Sequence, residues 1–164
     1  GDFRFTGTIE IDGLPPASWN VIFNPDPFVF ASVVVSNPTD QVDEFNLTIN
    51  MPVDLVPSSL VSGSFTACTS DNNGDGAFLG VVDVETPIYT ALIDQEPVAV
   101  LGNDAEITAG SFATNCRPPE DLPVTPSPAP SESIGLSMRF TLTPGDTASI
   151  AGVFLVGPPG GVSP

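Results

Sequence analysis

The sequence contains no histidine and no lysine, and its only cationic side chains are Arg4, Arg117 and Arg139. Without histidine, the chain lacks the commonest general base, the usual zinc ligand and the usual switch near neutral pH. A serine nucleophile would have neither a histidine nor a lysine as its base. A pair of carboxylates could still act on a glycosidic bond, but sugar-cleaving clefts need aromatic rings, and only one Trp and one Tyr are present. We therefore predict that the chain is not an enzyme.

Positive charge is scarce relative to negative charge. Twenty Asp and Glu residues oppose the three arginines, which gives a formal net charge of −17. Nucleic acids and anionic membrane surfaces are bound by cationic side chains that displace counterions. The charge balance therefore excludes both as partners. No apolar run is long enough to cross a bilayer, so no membrane span is predicted.

The dominant pattern is the alternation of apolar and polar residues that is typical of β-strands. No segment shows a sustained helical period, and the 19 prolines and 15 glycines fall mostly between the apolar runs. The pattern predicts an all-β protein, an antiparallel β-sandwich of jelly-roll type forming a single domain over residues 1–164. The predicted strands are 3–11, 18–23, 28–35, 44–51, 60–66, 77–84, 88–93, 98–101, 134–142 and 148–156.

Two details of this fold prediction depend on local sequence. The run from Phe28 to Val35 is apolar at almost every position, which predicts a central strand covered on both faces. Pro144 and Gly145 lie between two strong strand patterns and predict a hairpin turn.

The segment 117–133, RPPEDLPVTPSPAPSES, departs from the strand pattern. Its repeated prolines cannot donate to a sheet ladder and favour an extended polyproline conformation. We interpret it as a Pro-rich surface loop within the domain. A docking ligand for a small adaptor domain and a glycan-bearing Ser/Thr/Pro segment are the alternatives.

The two cysteines, Cys68 and Cys116, lack the spacing of a metal or haem site. They are either two free buried thiols or one disulfide. An even count in a chain with extracellular features favours the disulfide. By chain entropy, a bridge that closes a loop of about fifty residues stabilises the fold by about 4 kcal/mol.

The segment Asp71-Asn72-Asn73-Gly74-Asp75-Gly76 carries the clearest chemical pattern. Oxygen-bearing side chains at its first, third and fifth positions resemble those that short loops use to bind calcium. Asp71, Asn73 and Asp75 are therefore candidate calcium ligands, with Asp83 or Glu85 as a further carboxylate from the following strand. The alternative is an Asx-rich turn with no metal.

Two surface features suggest other partners. Trp19 and Tyr89 are the best candidates for an aromatic platform that binds extracellular polysaccharide, although Trp19 is predicted to belong to the core. Asn46, in the triplet Asn-Leu-Thr, fits an N-glycosylation acceptor.

The N-terminal strand suggests an assembly role. A β-domain must cover its sheet edges or use them, and the strand carrying Phe3, Phe5, Ile9 and Ile11 is free to pair with a neighbouring copy. Such a head-to-tail contact generates a filament. We therefore interpret the chain as an extracellular structural protein, a self-assembling filament or matrix subunit. A monomeric cell-surface module for carbohydrate binding or adhesion is the alternative.

Residues 2–40, the segment PIYTALIDQEPVAVL and the closing SIGLSMRFTLTPGDTASIAGVFLV resemble bacterial secreted proteins of the PEP-CTERM class. In particular, FTLTPGD followed by a strand ending in VFLV is similar to the strand pair that precedes the sorting signal of that class. The resemblance implies export by a signal peptide, sorting at the cell envelope by an exosortase, and an extracellular or surface location. It brings no catalytic residues. The sequence ends in GPPGGVSP and does not contain the sorting tail.

Overall fold

The structure, a computed structural model, describes residues 3–9, 17–24, 27–54 and 59–158. Within these ranges the chain forms thirteen strands and no helix. The strands are β1 (Phe3–Ile9), β2 (Ala17–Asn24), β3 (Phe28–Ser36), β4 (Asp43–Pro52), β5 (Ser59–Ser70), β6 (Ala77–Gly80), β7 (Tyr89–Ile93), β8 (Glu96–Leu101), β9 (Glu106–Ala109), β10 (Thr114–Cys116), β11 (Glu120–Ser127), β12 (Ser133–Leu142) and β13 (Thr147–Gly157).

Two antiparallel sheets pack face to face, which confirms the predicted β-sandwich. Sheet A has seven strands in the order β1-β2-β3-β13-β5-β10, and β11 pairs with β5 beside β10. Sheet B has six strands in the order β8-β7-β12-β6-β9, and β4 pairs with the opposite edge of β12. No helix in the described part of the chain is long and apolar enough to cross a membrane.

The core lies between the sheets and is formed by alternate residues of the long strands. In β3 the side chains of Val29, Ala31, Val33 and Val35 are buried, whereas Val34 on the other face is 38% exposed. The prediction that this strand is covered on both faces is therefore wrong. β3 is central within sheet A, but a two-layer sandwich covers only one face of each sheet.

The Pro144-Gly145 turn is not a hairpin. β12 pairs with strands of sheet B, whereas β13 pairs with β3 and β5 of sheet A. The turn therefore carries the chain from one sheet to the other. Local sequence predicts where a chain turns, but the packing of the two sheets decides which strand it pairs with next.

The Pro-rich segment lies at the surface as predicted, but residues 120–127 form β11 and are not a loop. β11 pairs with β5, and the register shifts between Leu122 and Thr125, on either side of Pro123. A strand at the edge of a sheet tolerates proline because one side of its backbone has no ladder to join. The short strands β9 and β10, of four and three residues, were also not predicted.

Asp94 closes the β7–β8 turn and ties it to the start of β12. Its carboxylate accepts hydrogen bonds from the amide N–H groups of Ser133 (2.9 Å) and Glu132 (2.7 Å) and from the hydroxyl of Ser131 (2.7 Å). The Ser133 amide, the Ser131 hydroxyl and the Glu132 amide together hold the pKa of Asp94 well below its ordinary value.

We expect Asp94→Asn to lower the stability of the fold at neutral pH. Because the pKa of Asp94 is lower in the folded state, its stabilisation is complete above the ordinary carboxyl pKa and is lost as the pH falls through the folded value. The difference in urea midpoint between wild type and Asp94→Asn should therefore be largest at neutral pH and shrink in acid. The exposed Asp121 provides the control, since Asp121→Asn makes the same change in net charge. An Asp94→Asn midpoint equal to that of the control would contradict the prediction.

Candidate functional site

Four connections between the sheets meet at one end of the sandwich. These crossing loops are 37–42, 71–76, 110–113 and 143–146, and each joins a strand of one sheet to a strand of the other. The amide of Gly145 donates to the carbonyl of Asn37 (2.8 Å), and the amide of Asn37 donates to the carbonyl of Asp146 (2.9 Å). The side chain of Asn73 donates to the carbonyl of Pro144 (3.0 Å). The loops are thus held to one another by their backbones and amide side chains.

Asp71 organises the 71–76 loop as an Asx turn. Its carboxylate accepts hydrogen bonds from the amides of Asn73 (3.3 Å) and Gly74 (3.0 Å), and from Phe112 in the 110–113 loop. Gly74 and Gly76 have φ angles of 93° and 96°, which favour glycine. The 71–76 loop therefore contains the Asx turn that its sequence suggested.

The same loop also contributes to a group of three carboxylates. One carboxylate oxygen each from Asp71, Asp75 and Asp146 lie within 4.8 Å of one another. Asp71 and Asp146 are buried, whereas Asp75 is exposed. The sandwich thus places two carboxylates inside the protein and opens the group to solvent at the third.

The membership of this group differs from the predicted ligand set. Asp71 and Asp75 belong to it, but Asp83 does not, and its carboxylate accepts the amide of Glu85 (2.9 Å). The side-chain oxygen of Asn73 is already used within the crossing loops, where it accepts a hydrogen bond from the backbone amide of Asp75 (3.2 Å). Asp146 was missed because it lies 75 residues from Asp71 in the sequence, in a turn interpreted as a hairpin. Only the Asp in the TPGDT turn marks it, and that signal is weak without the topology.

Asp146 is the most deeply placed of the three. Its side chain is fully buried, and one carboxylate oxygen, Oδ2, accepts a hydrogen bond from the Thr143 hydroxyl. The other oxygen, Oδ1, is buried and has no hydrogen-bond partner. A buried carboxylate oxygen with no partner is unfavourable, because it has lost its water and gained nothing in return.

The pKa values in the group move in opposite directions. Burial raises the pKa of Asp71, but the amides of Phe112, Gly74 and Asn73 outweigh it and lower the pKa below its ordinary value. Burial raises the pKa of Asp146, and the charges of Asp71 and Asp75 raise it further, against the lowering effect of the Thr143 hydroxyl and the Asn72 backbone amide. The loop amides therefore compensate the charge of Asp71, whereas that of Asp146 is only partly compensated.

The two cysteines form a disulfide, as the sequence favoured. Cys68 of β5 and Cys116 of β10 face each other in the strand pair, and their sulfur atoms are bonded. The free-thiol alternative is therefore excluded. The bridge fastens the short β10 to sheet A, close to the 110–113 loop that reaches Asp71.

On the β1 side of the sandwich, opposite the disulfide-bonded β10, the edge of sheet A is unpaired within the described ranges. The outer edge of β1 has no strand partner among the residues that the structure describes. Phe3 and Phe5, on the face of β1 that looks toward sheet B, are 59% and 50% exposed. Ile9 ends this strand, and Ile11 lies outside the described residues. The side of sheet A that the sequence predicted as an assembly edge is thus an unpaired edge with exposed aromatic rings.

An apolar groove of about 400 Å³ separates β1 and β2 from β4. Its walls are mainly apolar side chains of the two sheets: Phe5, Trp19, Val21, Phe23, Leu47 and Ile49. The groove exists because, among the residues that the structure describes, sheet B ends at β4 and does not extend over β1.

The closed side of the sandwich differs from the open side. Here β11 forms the edge of sheet A, with Pro123, Pro126 and a register shift along it. Arg117 binds Glu120 at the start of this strand (2.9 Å). Prolines, bulges and charges are features that prevent edge strands from pairing with other chains. Sheet A therefore has one protected edge and one open edge.

The aromatic platform proposed for polysaccharide binding is not formed. Tyr89 is fully buried, and its hydroxyl donates to the carbonyl of Val153 (2.8 Å). Trp19 is half-buried and packs against the core at the groove. Asn46 is exposed on β4, so its side chain is accessible, and its glycosylation stays a prediction.

No family model and no curated protein matches this sequence. Among solved structures, the chain is similar to the enzymatically active domain of bacteriophage CBA120 tailspike protein 4. The identity is 15% and the TM-score is 0.28, over 95% of this chain and 19% of that chain. A similarity at this level defines neither the fold nor the function. The features on which a function can be argued are therefore those of the molecule itself: a disulfide-bonded β-sandwich with an acidic loop cluster at one end and an open strand edge along one side.

Proposed function

We propose that this protein is an extracellular structural subunit that assembles with copies of itself through β1. A disulfide forms and persists in oxidising surroundings outside the cytoplasm, which supports the location. The resemblance to exosortase-sorted proteins supports the same location and a role in a surface matrix. A structural role without catalysis agrees with a sequence that has no histidine and no lysine.

The observation that carries the assembly proposal is the unpaired outer edge of β1 with its two exposed phenylalanines. An edge strand presents a row of free N–H and C=O groups, which is a template for a strand of another chain. Burial of a large aromatic ring stabilises a contact by about 1.5–3 kcal/mol. Burial of Phe3 and Phe5 therefore provides most of the stabilisation when this edge is covered by another copy.

Charge complementarity indicates which surface of the next copy β1 contacts. The strand Phe3–Ile9 carries Arg4, one of the three cationic side chains of the sequence, and no acidic residue. The outer edge of β4 is also unpaired in the described part of the chain, and β4 carries Asp43 and Glu44, of which Glu44 is already paired with Arg139 of β12. Arg4 in β1 of one copy therefore complements Asp43 in β4 of the next in charge.

Side-chain alternation also matches between the two strands. In β4, alternate residues from Phe45 to Met51 point toward the core, and Leu47 and Ile49 are only half-buried at the groove. A β1 strand laid along β4 brings its phenylalanines onto this apolar face. Because β1 and β4 are different strands, a single such contact is heterologous, and where successive contacts do not close on themselves it repeats head to tail into a filament.

The test is the assembly state of a variant that keeps the fold but changes the edge. We expect wild type to form extended assemblies at physiological ionic strength, where the Debye length is about 8 Å and repulsion between acidic copies is screened. The double variant Phe3→Glu with Phe5→Glu should stay monomeric. Sedimentation velocity and electron microscopy measure both.

The matched control is Val84→Glu with Val124→Glu, which adds the same charge at two other exposed positions. This control should assemble like wild type. Wild-type material that is monomeric at every concentration and salt level would exclude assembly. A discrete two-copy species that Phe3→Glu with Phe5→Glu dissociates would retain strand pairing and exclude the filament.

A further inference from the structure

Three carboxylates from two crossing loops converge at the end of the sandwich where the crossing loops meet. This end is separate from the β1 edge that is proposed to pair with another copy. Asp71 and Asp75 come from the 71–76 loop between β5 and β6, and Asp146 comes from the 143–146 turn between β12 and β13. Their oxygens lie within 4.8 Å of one another. Two oxygens on opposite sides of a calcium ion, each at about 2.3–2.6 Å from it, are about 5 Å apart. The three side chains thus already have the spacing of ligands around one ion.

A second observation, independent of the clustering, points to a ligand. Asp146 is fully buried, and its Oδ1 has no hydrogen-bond partner. The other oxygen is satisfied by the Thr143 hydroxyl, and the carboxylate of Asp71 is satisfied by loop amides. Hydrogen bonds therefore satisfy both carboxylate oxygens of Asp71 and one of Asp146, and they leave Oδ1 of Asp146 as the buried oxygen of the cluster without a partner. A buried charge persists when it is paired or coordinates a metal, and no cationic side chain is bonded to Asp146 among the described residues.

We infer that Asp71, Asp75 and Asp146 bind one calcium ion. All three ligands are oxygen atoms of carboxylates, which are hard donors, and no nitrogen or sulfur donor belongs to the group. Calcium accepts irregular sites with six to eight oxygens, and exposed Asp75 leaves one side open to water that completes the shell. Magnesium requires a tighter octahedron and releases its water reluctantly, so this loop geometry favours calcium.

The site is formed by the fold and held in shape before an ion arrives. Asn72 donates to the Thr147 hydroxyl (2.8 Å) and Asn73 donates to the Pro144 carbonyl (3.0 Å), so the two loops are fixed relative to each other. An ion bound here connects the β5–β6 crossing to the β12–β13 crossing. Binding therefore stabilises the folded state, since the unfolded chain does not bring the two loops together.

The experiment uses the full chain after removal of divalent ions with a chelator, titrated with calcium chloride alone in a calorimeter. We expect one ion per chain with a dissociation constant on the order of 0.1–1 mM, the range of extracellular calcium modules. Calcium at about ten times this constant should raise the unfolding midpoint by about 3–6 °C. Magnesium chloride at the same concentration should give a smaller shift.

Two variants locate the site. Asp146→Asn keeps the shape of the side chain and should weaken calcium binding more than about tenfold, because it removes one of three charges. Asp75→Asn does the same at an exposed position, so its folding is not at risk. Asp83→Asn is the control, since Asp83 is an acid of the neighbouring turn outside the group, and it should bind calcium like wild type.

Several results would overturn the inference. They are the absence of both heat and a midpoint shift with calcium, an equal response to magnesium, and a response that Asp75→Asn and Asp146→Asn leave unchanged. A response abolished by Asp83→Asn would move the ion to the ligand set that the sequence alone suggested. None of these results depends on whether copies of the chain assemble through β1.

Discussion

Replacement of both cysteines, Cys68→Ser with Cys116→Ser, should lower the free energy of unfolding by about 4 kcal/mol. The bridge spans 48 residues of sequence, and removing it lets the denatured chain explore the conformations that the closed loop forbids. Both cysteines lie on the outer side of sheet A, and Cys116 is exposed, so the substitution leaves the core intact. Urea unfolding of the variant and of wild type, with and without reductant, measures the effect.

The control lies in the same strand pair. Ser70 of β5 and Thr114 of β10 face each other and share a hydrogen bond between their hydroxyls (2.7 Å). Ser70→Ala with Thr114→Ala removes a contact of this pair without releasing the loop, and it should change the stability by only about 0.5 kcal/mol. If the free energy of unfolding falls no further in the cysteine variant than in this control, the bridge does not constrain the unfolded chain.

Tyr89→Ala should destabilise the protein by about 3–5 kcal/mol, the range for deleting a large buried aromatic ring. Tyr89 extends from sheet B across the core and packs against Phe65, at 6.2 Å between ring centroids. A Cβ atom at Gly63 would lie 2.9 Å from the Tyr89 hydroxyl, and one at Gly152 would lie 2.9 Å from its ring. The absence of side chains at these two positions of sheet A leaves the space that the ring fills, so its loss opens a cavity.

Tyr89→Phe separates the ring from the hydroxyl. It keeps the ring and removes the hydrogen bond to the Val153 carbonyl, so it should cost only about 1 kcal/mol. Guanidinium unfolding of the three proteins gives the two differences. If Tyr89→Phe were as unstable as Tyr89→Ala, the hydrogen bond would matter more than the packing, against the prediction. Burial also raises the pKa of the Tyr89 hydroxyl above its ordinary value.

The fold class was predictable because alternation is a local property of a half-buried strand. Ile134, Leu136, Met138, Phe140 and Leu142 alternate with polar residues in the sequence, and all five are buried in β12. The strand over 120–127 was not predictable in the same way. It is exposed at most positions and rich in proline, and it exists because the edge of β5 is available to it.

The candidate metal centre was also predictable only in part, where its residues are close in sequence. Asp71 and Asp75 were identified because a short loop has a readable spacing of oxygen donors. Asp146 was not, because its place beside them depends on β12 and β13 lying in different sheets. The choice of Asp83 relied on distance along the chain, and the turn after β6 holds its carboxylate against Glu85 instead.

By itself, the sequence determined the all-β class, the preference for a disulfide and the acidic loop, since each follows from composition or from neighbours along the chain. The tertiary structure alone decided which turns cross between the sheets, which edge stays open and which third carboxylate completes the acidic group. Each of these depends on contacts between residues far apart in sequence, and such contacts are set by how two apolar sheet faces cover one another.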